Sequence, residues 1–180
     1  MPVYEGVDVK EVLSSKNNIS AIEATLSIIF EKDDTVMKGD GILNISRDGD
    51  LSMRVYSFGF LAFEITSENG IIKSVPMIDK NRGAILTHGL RDCLFWWDIK
   101  DFEIVEEEHD YILKNLMREV WIDRITMFPL KQIVFFEDGR QLTISYENPE
   151  KVNDMWYPSK IRIELLNYSV TLKIKDISFT

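Results

Sequence analysis

The sequence predicts a mainly β (α+β) protein, a strongly curved antiparallel sheet or incomplete β-barrel of about eleven strands with helices covering its concave side. Three observations predict it. Most of the chain alternates apolar and polar residues with the period of half-buried strands. Those runs are joined by short polar turns, which favours pairing of successive strands as antiparallel neighbours. Only two stretches carry helical periodicity, too little helix to fill a concave sheet of that size.

Taken in order, Asp8 to Lys16 reads as a short helix, with Val9, Val12 and Leu13 on one face, Asp8 as its cap and Asn17-Asn18 ending it. Ile19 to Glu31 is a long strand in which Ile22, Ala24, Leu26, Ile28 and Phe30 share a face. After Lys32-Asp33-Asp34-Thr35, the strand Val36 to Arg47 places Gly39 and Gly41 beside Met37, Leu43 and Ile45, and paired glycines predict bending or a bulge. Asp48-Gly49-Asp50 turns the chain into the stretch around which the rest is organised, Leu51 to Ser74. It reads as three strands and two tight turns, with Leu51, Met53 and Val55, then Leu61, Phe63 and Ile65, in alternation. The second turn, Ser67-Glu68-Asn69-Gly70, is polar; the first, Ser57-Phe58-Gly59-Phe60, sets two phenylalanines on a tip expected to face water.

Beyond Pro76, the residues Leu86, Leu90, Cys93, Leu94 and Trp97 fit one side of a helix with Thr87 near its start, and Phe95 and Trp96 add apolar surface suited to a lid over an apolar concavity. Strand patterns return at Phe102 to Glu106, Tyr111 to Leu116 and Glu119 to Arg124. Lys131 to Glu137 and Arg140 to Glu147 flank Asp138-Gly139, which predicts a two-residue hairpin turn. Asn148 to Asp154 reads as a polar loop. The last strands are Ile161 to Leu166 and Val170 to Phe179, and a change of parity near Asp176 predicts a bulge there.

At 180 residues, the chain fits one domain, residues 1–180. Hydrophobic residues make up 45% and charged residues 28%, which excludes wholesale disorder. The net charge of −9 argues against nucleic acid and against electrostatic docking to anionic membranes. A single cysteine, Cys93, excludes an internal disulfide and any multi-cysteine metal cluster. No window reaches the roughly 18 apolar residues of a membrane span. The opening MPVYEGVDVK lacks the pattern of a secretory signal, so either the protein is cytoplasmic or Met1 marks a trimmed chain.

No constellation points to catalysis, a metal or a cofactor. His88 and His109 lack metal-ligand spacing, and Cys93, flanked by Asp92 and Leu94, reads as a packed residue. Glu106 to Asp110 lacks the alternation of a calcium loop and reads as a solvated turn. Phosphate-loop, dinucleotide and elbow-serine motifs are absent. What remains is apolar surface, including Phe58, Phe60, Phe63, Phe95, Trp96, Trp97, Trp121, Phe128, Phe135, Phe136 and Trp156. Most of these side chains should fill a core; some could line a cavity for a fatty ligand.

The run Gly41-Ile42-Leu43-Asn44-Ile45, then Leu51 through Ile65 and Asn69-Gly70, resembles the bacterial lipoprotein carriers and receptors LolA and LolB, especially the LolB-like side. So does Val120-Trp121-Ile122-Asp123-Arg124 through Pro129 and Gln132 to Asp138-Gly139-Arg140, followed by Tyr157-Pro158-Ser159-Lys160-Ile161. The chain departs from the family pattern in having no lipid-attachment cysteine near its start and a short mid-chain.

The resemblance implies a non-enzymatic half-barrel whose apolar cavity receives lipid or lipoprotein acyl chains, in the periplasm or at the periplasmic face of the outer membrane, with an anchoring segment before Met1. Its expected partners are the acyl chains, a membrane surface, and a periplasmic carrier or envelope protein. Ligand contact is expected from Leu26, Ile28, Met53, Val55, Phe63 and Ile65 of the sheet, and from Leu90, Leu94 and Trp97 of the lid. In LolB-like proteins an apolar loop at the position of Ser57 to Leu61 contacts the membrane, a role that falls here to Phe58, Phe60 and Leu61. The alternative is an envelope scaffold that binds a protein partner through the same apolar patch without carrying lipid.

Overall fold

A computed structural model describes residues 1–180. Its strands are β1 Ala21–Lys32, β2 Thr35–Ser46, β3 Leu51–Ser57, β4 Phe60–Glu68, β5 Ile71–Val75, β6 Glu103–Glu106, β7 Asp110–Lys114, β8 Arg118–Asp123, β9 Pro129–Phe135, β10 Gln141–Val152, β11 Met155–Leu165 and β12 Tyr168–Phe179. All twelve, one more than expected, form a single antiparallel sheet in the order β5-β4-β3-β2-β1-β12-β11-β10-β9-β8-β7-β6. Chain neighbours pair everywhere except between β5 and β6, and the chain's first and last strands close the middle of the sheet. The edges β5 and β6 do not pair, so the barrel stays incomplete.

Helix α1 spans Val9–Ser14, with the Asp8 carboxylate accepting from the Lys10 amide at 2.9 Å and Val9, Val12 and Leu13 buried. The mid-chain helix starts earlier than the periodicity suggested. It comprises α2 Lys80–Ala84, a π turn Ile85–Gly89 and α3 Leu90–Leu94. Its cap is Asp79, which accepts from the Arg82 amide at 2.9 Å, and Thr87 lies in the π turn rather than near the start. Because α2 buries no side chain, apolar spacing could not reveal it. Phe95, Trp96 and Trp97 follow the helix in a buried turn.

Three other expectations are corrected. β2 runs in register with both neighbours, so Gly39 and Gly41 make no bulge. They make room instead: a Cβ at Gly39 would stand 2.6 Å from the Tyr56 carbonyl oxygen, and one at Gly41 would stand 3.0 Å from Leu26 Cδ1. The segment Asn148 to Asp154 is mostly strand, since β10 and β11 continue as a two-stranded ribbon past their other partners. Pro149 faces Pro158 there, where no third strand needs the missing amides. At Asp138-Gly139 the Gly139 amide donates to the Phe136 carbonyl at 3.0 Å and only Gly139 has positive φ, +85°. That is a tight turn followed by a left-handed glycine, one step longer than the two-residue form. The bulge expected near Asp176 is present: Thr25 pairs with Asp176 and Leu26 with Ile174, which leaves Lys175 over.

One cluster of 43 buried side chains occupies the concave side, contributed by the sheet, α1, the π turn, α3 and the turn after it. Gly89 brings the π turn onto the sheet, its α-carbon so close that a Cβ would meet Leu142 at 3.2 Å and Ile163 at 3.5 Å.

Candidate functional site

The helical run and its following turn lie over the inner face of the sheet as a lid, held by apolar packing and by polar groups at both ends. Leu86, Leu90, Cys93 and Leu94 are buried against the sheet. At the far end, the helix runs out of amides to pair its last carbonyls, and the sheet supplies donors instead. Gln132 Nε2 donates to the Asp92 carbonyl at 2.9 Å and to the Tyr146 hydroxyl at 2.8 Å; that hydroxyl donates to the Cys93 carbonyl at 3.1 Å. The Arg118 guanidinium reaches the carbonyls of Asp98 at 2.8 Å and Trp96 at 3.3 Å. Burial pulls the Arg118 pKa down, while the Asp92 carboxylate, 3.8 Å away, acts in the opposite sense. Burial likewise holds the Tyr146 phenol well above its usual range and pushes the Cys93 thiol far up, so neither is poised to ionise. Arg91 ties the lid to itself through Asp92 and Asp98, and to the Arg47 carbonyl at 3.0 Å. At the near end, Tyr168 donates to Asp79 at 2.8 Å and Arg140 to Asn81 at 2.6 Å.

The structure places Leu26, Ile28, Met53, Val55, Phe63 and Ile65 of the sheet, and Leu90, Leu94 and Trp97 of the lid and its following turn, in one buried cluster. The hollow at the lid's end, between Trp96, Trp97, Tyr157 and Ile177, measures about 10 Å³, about the space of one water. The larger space is at the mouth: a cleft of about 660 Å³ between β5, the start of the lid and the β9–β10 turn, floored by Ile72, Met77, Ile78 and Phe136.

Phe58, Phe60 and Leu61 lie outside the core, 99%, 78% and 50% exposed. Phe58 and Gly59 form the two-residue turn between β3 and β4 with φ of +51° and +82°. Asn69-Gly70 has the same turn geometry, +50° and +78°, with residues that adopt it readily. A phenylalanine in the left-handed region, fully in water, favours neither local conformation nor solvation.

Strand alternation places further apolar turns at the same end of the sheet as Phe58: Leu116-Met117 between β7 and β8, Leu166 between β11 and β12, and Met77 beyond β5. Leu116 and Met77 are 95% and 93% exposed. The opposite end carries mainly polar turns, Asp48-Gly49-Asp50, Asn69-Gly70 and Asn153-Asp154. Sequence reasoning missed this rim and the polar group under the lid. Both left a signal: Arg118 shares strand parity with Val120 and Ile122, Gln132 with Val134, and Tyr146 with Ile144, while Leu116 and Leu166 stand beside asparagines in short turns.

His88 stands exposed on the π turn, edge-on to Phe136, and His109 lies on the exposed β6–β7 turn; neither joins a group of metal-ligating side chains.

No family model matches the chain, and no curated protein matches it by sequence. Solved structures share its fold. A DUF1329 family protein from Desulfovibrio piger superposes with a TM-score of 0.64 at 13% identity, over 99% of this chain and 93% of that one. A LolA superfamily protein from Nitrosomonas europaea gives 0.61 at 11% identity, over 97% and 94%. A domain assigned to outer membrane lipoprotein sorting, from Vibrio parahaemolyticus, gives 0.58 at 14% identity, over 96% and 91%. The likeness does not separate a LolA side from a LolB side. The chain has a LolA-like fold.

Proposed function

We propose that this protein is a non-enzymatic carrier or receptor of lipid or lipoprotein acyl chains, working at the periplasmic face of a bacterial outer membrane. Acyl chains enter at the mouth and displace the lid from the inner face of the sheet, where Leu26, Ile28, Met53, Val55, Phe63 and Ile65 receive them. The observation that carries this reading is Phe58, held in water and in a left-handed turn at the tip of an apolar rim that also includes Phe60 and Leu61. Such a tip gains by entering a bilayer interface, and the protein's −9 charge makes apolar insertion the better route than attraction to anionic headgroups. The fold of the lipoprotein-sorting relatives supports the same reading.

Magnitudes limit the cargo. The side chains Ile85, Leu86, Leu90, Leu94, Phe95, Trp96 and Trp97 together hold the lid with roughly 10–21 kcal/mol of apolar burial. One long acyl chain offers on the order of 10 kcal/mol gross. A single chain therefore offsets lid opening only in part, and a cargo with two or three chains is favoured.

The test is flotation with phosphatidylethanolamine–phosphatidylcholine vesicles. The wild type binds and the folded double variant Phe58→Glu/Phe60→Glu does not; equal binding by both would overturn the membrane role of the tip. The filled interior favours a second reading, an envelope scaffold that uses the rim to hold a protein partner. Lipid extraction and mass spectrometry of the purified protein separates the two, since a scaffold carries no stoichiometric lipid.

A further inference from the structure

The two edges of the sheet are built differently. At one end of the order, β6 is four residues long and carries Glu103 and Glu106, followed by Glu107 and Glu108, charges that repel an incoming strand. At the other, β5 reads Ile71-Ile72-Lys73-Ser74-Val75, with exposed isoleucines and one charge. No backbone hydrogen bond from elsewhere in the chain reaches β5. Glu68 and Ile71 flank the Asn69-Gly70 turn and so form a hydrogen-bonded pair, which fixes the alternation along the ladder. Lys73 and Val75 spend their backbone groups on β4, and the amides and carbonyls of Ile72 and Ser74 point outward.

Ile72 and Ser74 pair with Ser67 and Ile65, both buried, so their side chains face the concave side and line the 660 Å³ mouth cleft. Lys73 faces the convex side with Thr66. Two further cations edge the cleft: Lys80 and Arg140, which share the single carboxylate of Asp138 at 3.6 and 2.8 Å. Asp79, the acid that lines the cleft, is committed to the Arg82 amide and the Tyr168 hydroxyl. Glu68 and Glu64 stand one strand further in, across from Ile71 and Val75, and Glu64 is paired with Arg54 at 3.2 Å. On β5 itself an incoming strand meets one cation, Lys73, and no carboxylate, on a chain of net charge −9.

We propose that β5 is a docking edge for an extended peptide strand of alternating acidic and apolar residues. The strand adds to the sheet through the free backbone groups of Ile72 and Ser74. Its apolar side chains enter the mouth cleft against Ile72, Met77 and Ile78, and an acidic one lies across from Lys73 on the outer face. Nothing in this requires acyl-chain binding, so it stands or falls separately from that reading.

The experiment uses a fluorescein-labelled nonapeptide of alternating valine and glutamate, with a valine–lysine peptide as control. Anisotropy should show saturable binding of the first alone, and hydrogen exchange at the Ile72 and Ser74 amides should slow by about tenfold or more on binding. Ser74→Pro removes one outward donor at an edge position that tolerates proline, and should abolish binding while the melting curve stays cooperative. Lys73→Glu should weaken binding of the glutamate peptide by about fivefold and admit the lysine peptide. Unchanged exchange at Ile72 and Ser74, or a Lys73→Glu variant that binds both peptides as the wild type does, would overturn the proposal. So would protection of the same amides in peptide-free protein that deepens with concentration, because the edge would then serve a second copy of this chain.

Discussion

Arg118 Nε donates to Gln132 Oε1 at 2.7 Å, and both side chains are buried between the sheet and the end of the lid. Through this pair and Tyr146, the carbonyls of Asp92, Cys93, Trp96 and Asp98 find donors they would otherwise lack. The lid is therefore seated by a small set of directional bonds at its far end, in addition to its apolar face.

Removing that seat should loosen the lid before it loosens the sheet. Arg118→Ala leaves the carbonyls of Trp96 and Asp98 and the amide oxygen of Gln132 without donors, and should cost about 3–5 kcal/mol in urea unfolding. Hydrogen exchange should rise first over residues 90–97.

Cys93 supplies a native reporter for the same motion. Its thiol is fully buried and held far above the usual thiol range by burial, so it should resist alkylation at pH 8 in the closed protein. Gln132→Ala should speed labelling by about tenfold or more if the bonds to Asp92 and Tyr146 hold the lid down. A wild-type rate in that variant would mean that the Gln132 bonds do not hold the lid, and that Arg118, Tyr146 and apolar packing seat it without them.

Phe58 should be a site where stability and function oppose each other. Phe58→Asn places a residue that tolerates positive φ in the same turn and should stabilise the fold by up to about 1 kcal/mol. Vesicle flotation by the same variant should fall. A Phe58→Asn protein that melts earlier would show that the aromatic ring contributes contacts its exposure does not reveal.

Lys16 gives the fold a dependence on alkaline pH. Its ammonium lies beside the rings of Trp96 and Trp97, 5.9 and 5.5 Å from their centroids, and burial lowers its pKa from 10.5 to about 8. Below about pH 8 both folded and unfolded states hold the proton, and the folded state bears the full cost of burying it, up to about 3 kcal/mol. Between about 8 and 10.5 the unfolded state binds more protons, so this contribution makes stability rise with pH. Lys16→Met should be more stable than the wild type at pH 7, and the difference should shrink as pH approaches 10.5 in paired melts. A constant difference would place the Lys16 cost outside its titration.

Strand alternation made most of the sheet legible, down to the parity change that marks the extra residue Lys175. Pairing order followed from short turns. Residues whose local pattern is shared by two structures were harder to read. Lys80 to Ala84 shows no apolar face because none is buried, although Asp79 three residues before Arg82 was a usable cap signal. Asn148 to Asp154 looks like a loop because Pro149 and the charges around it suit a ribbon without a third strand as well as they suit a turn. In the candidate site, the apolar lining could be read from parity. For the polar seat of the lid, parity marked Arg118, Gln132 and Tyr146 as inward but not their common role, because an arginine, a glutamine and a tyrosine on three strands acquire a shared purpose only when the sheet curls them toward one helix end.

Whether acyl chains reach the inner face of the sheet can be read with a triacylated lipopeptide that carries a diazirine at the end of each chain, photolysed with the protein and mapped by peptide mass spectrometry. Crosslinks should fall in the interior, at Met53 and Phe63 of the sheet and at Leu90 on the buried face of the lid. Crosslinks confined to Phe58, Phe60 and Met77 at the rim, or none at all, would exclude entry of the chains.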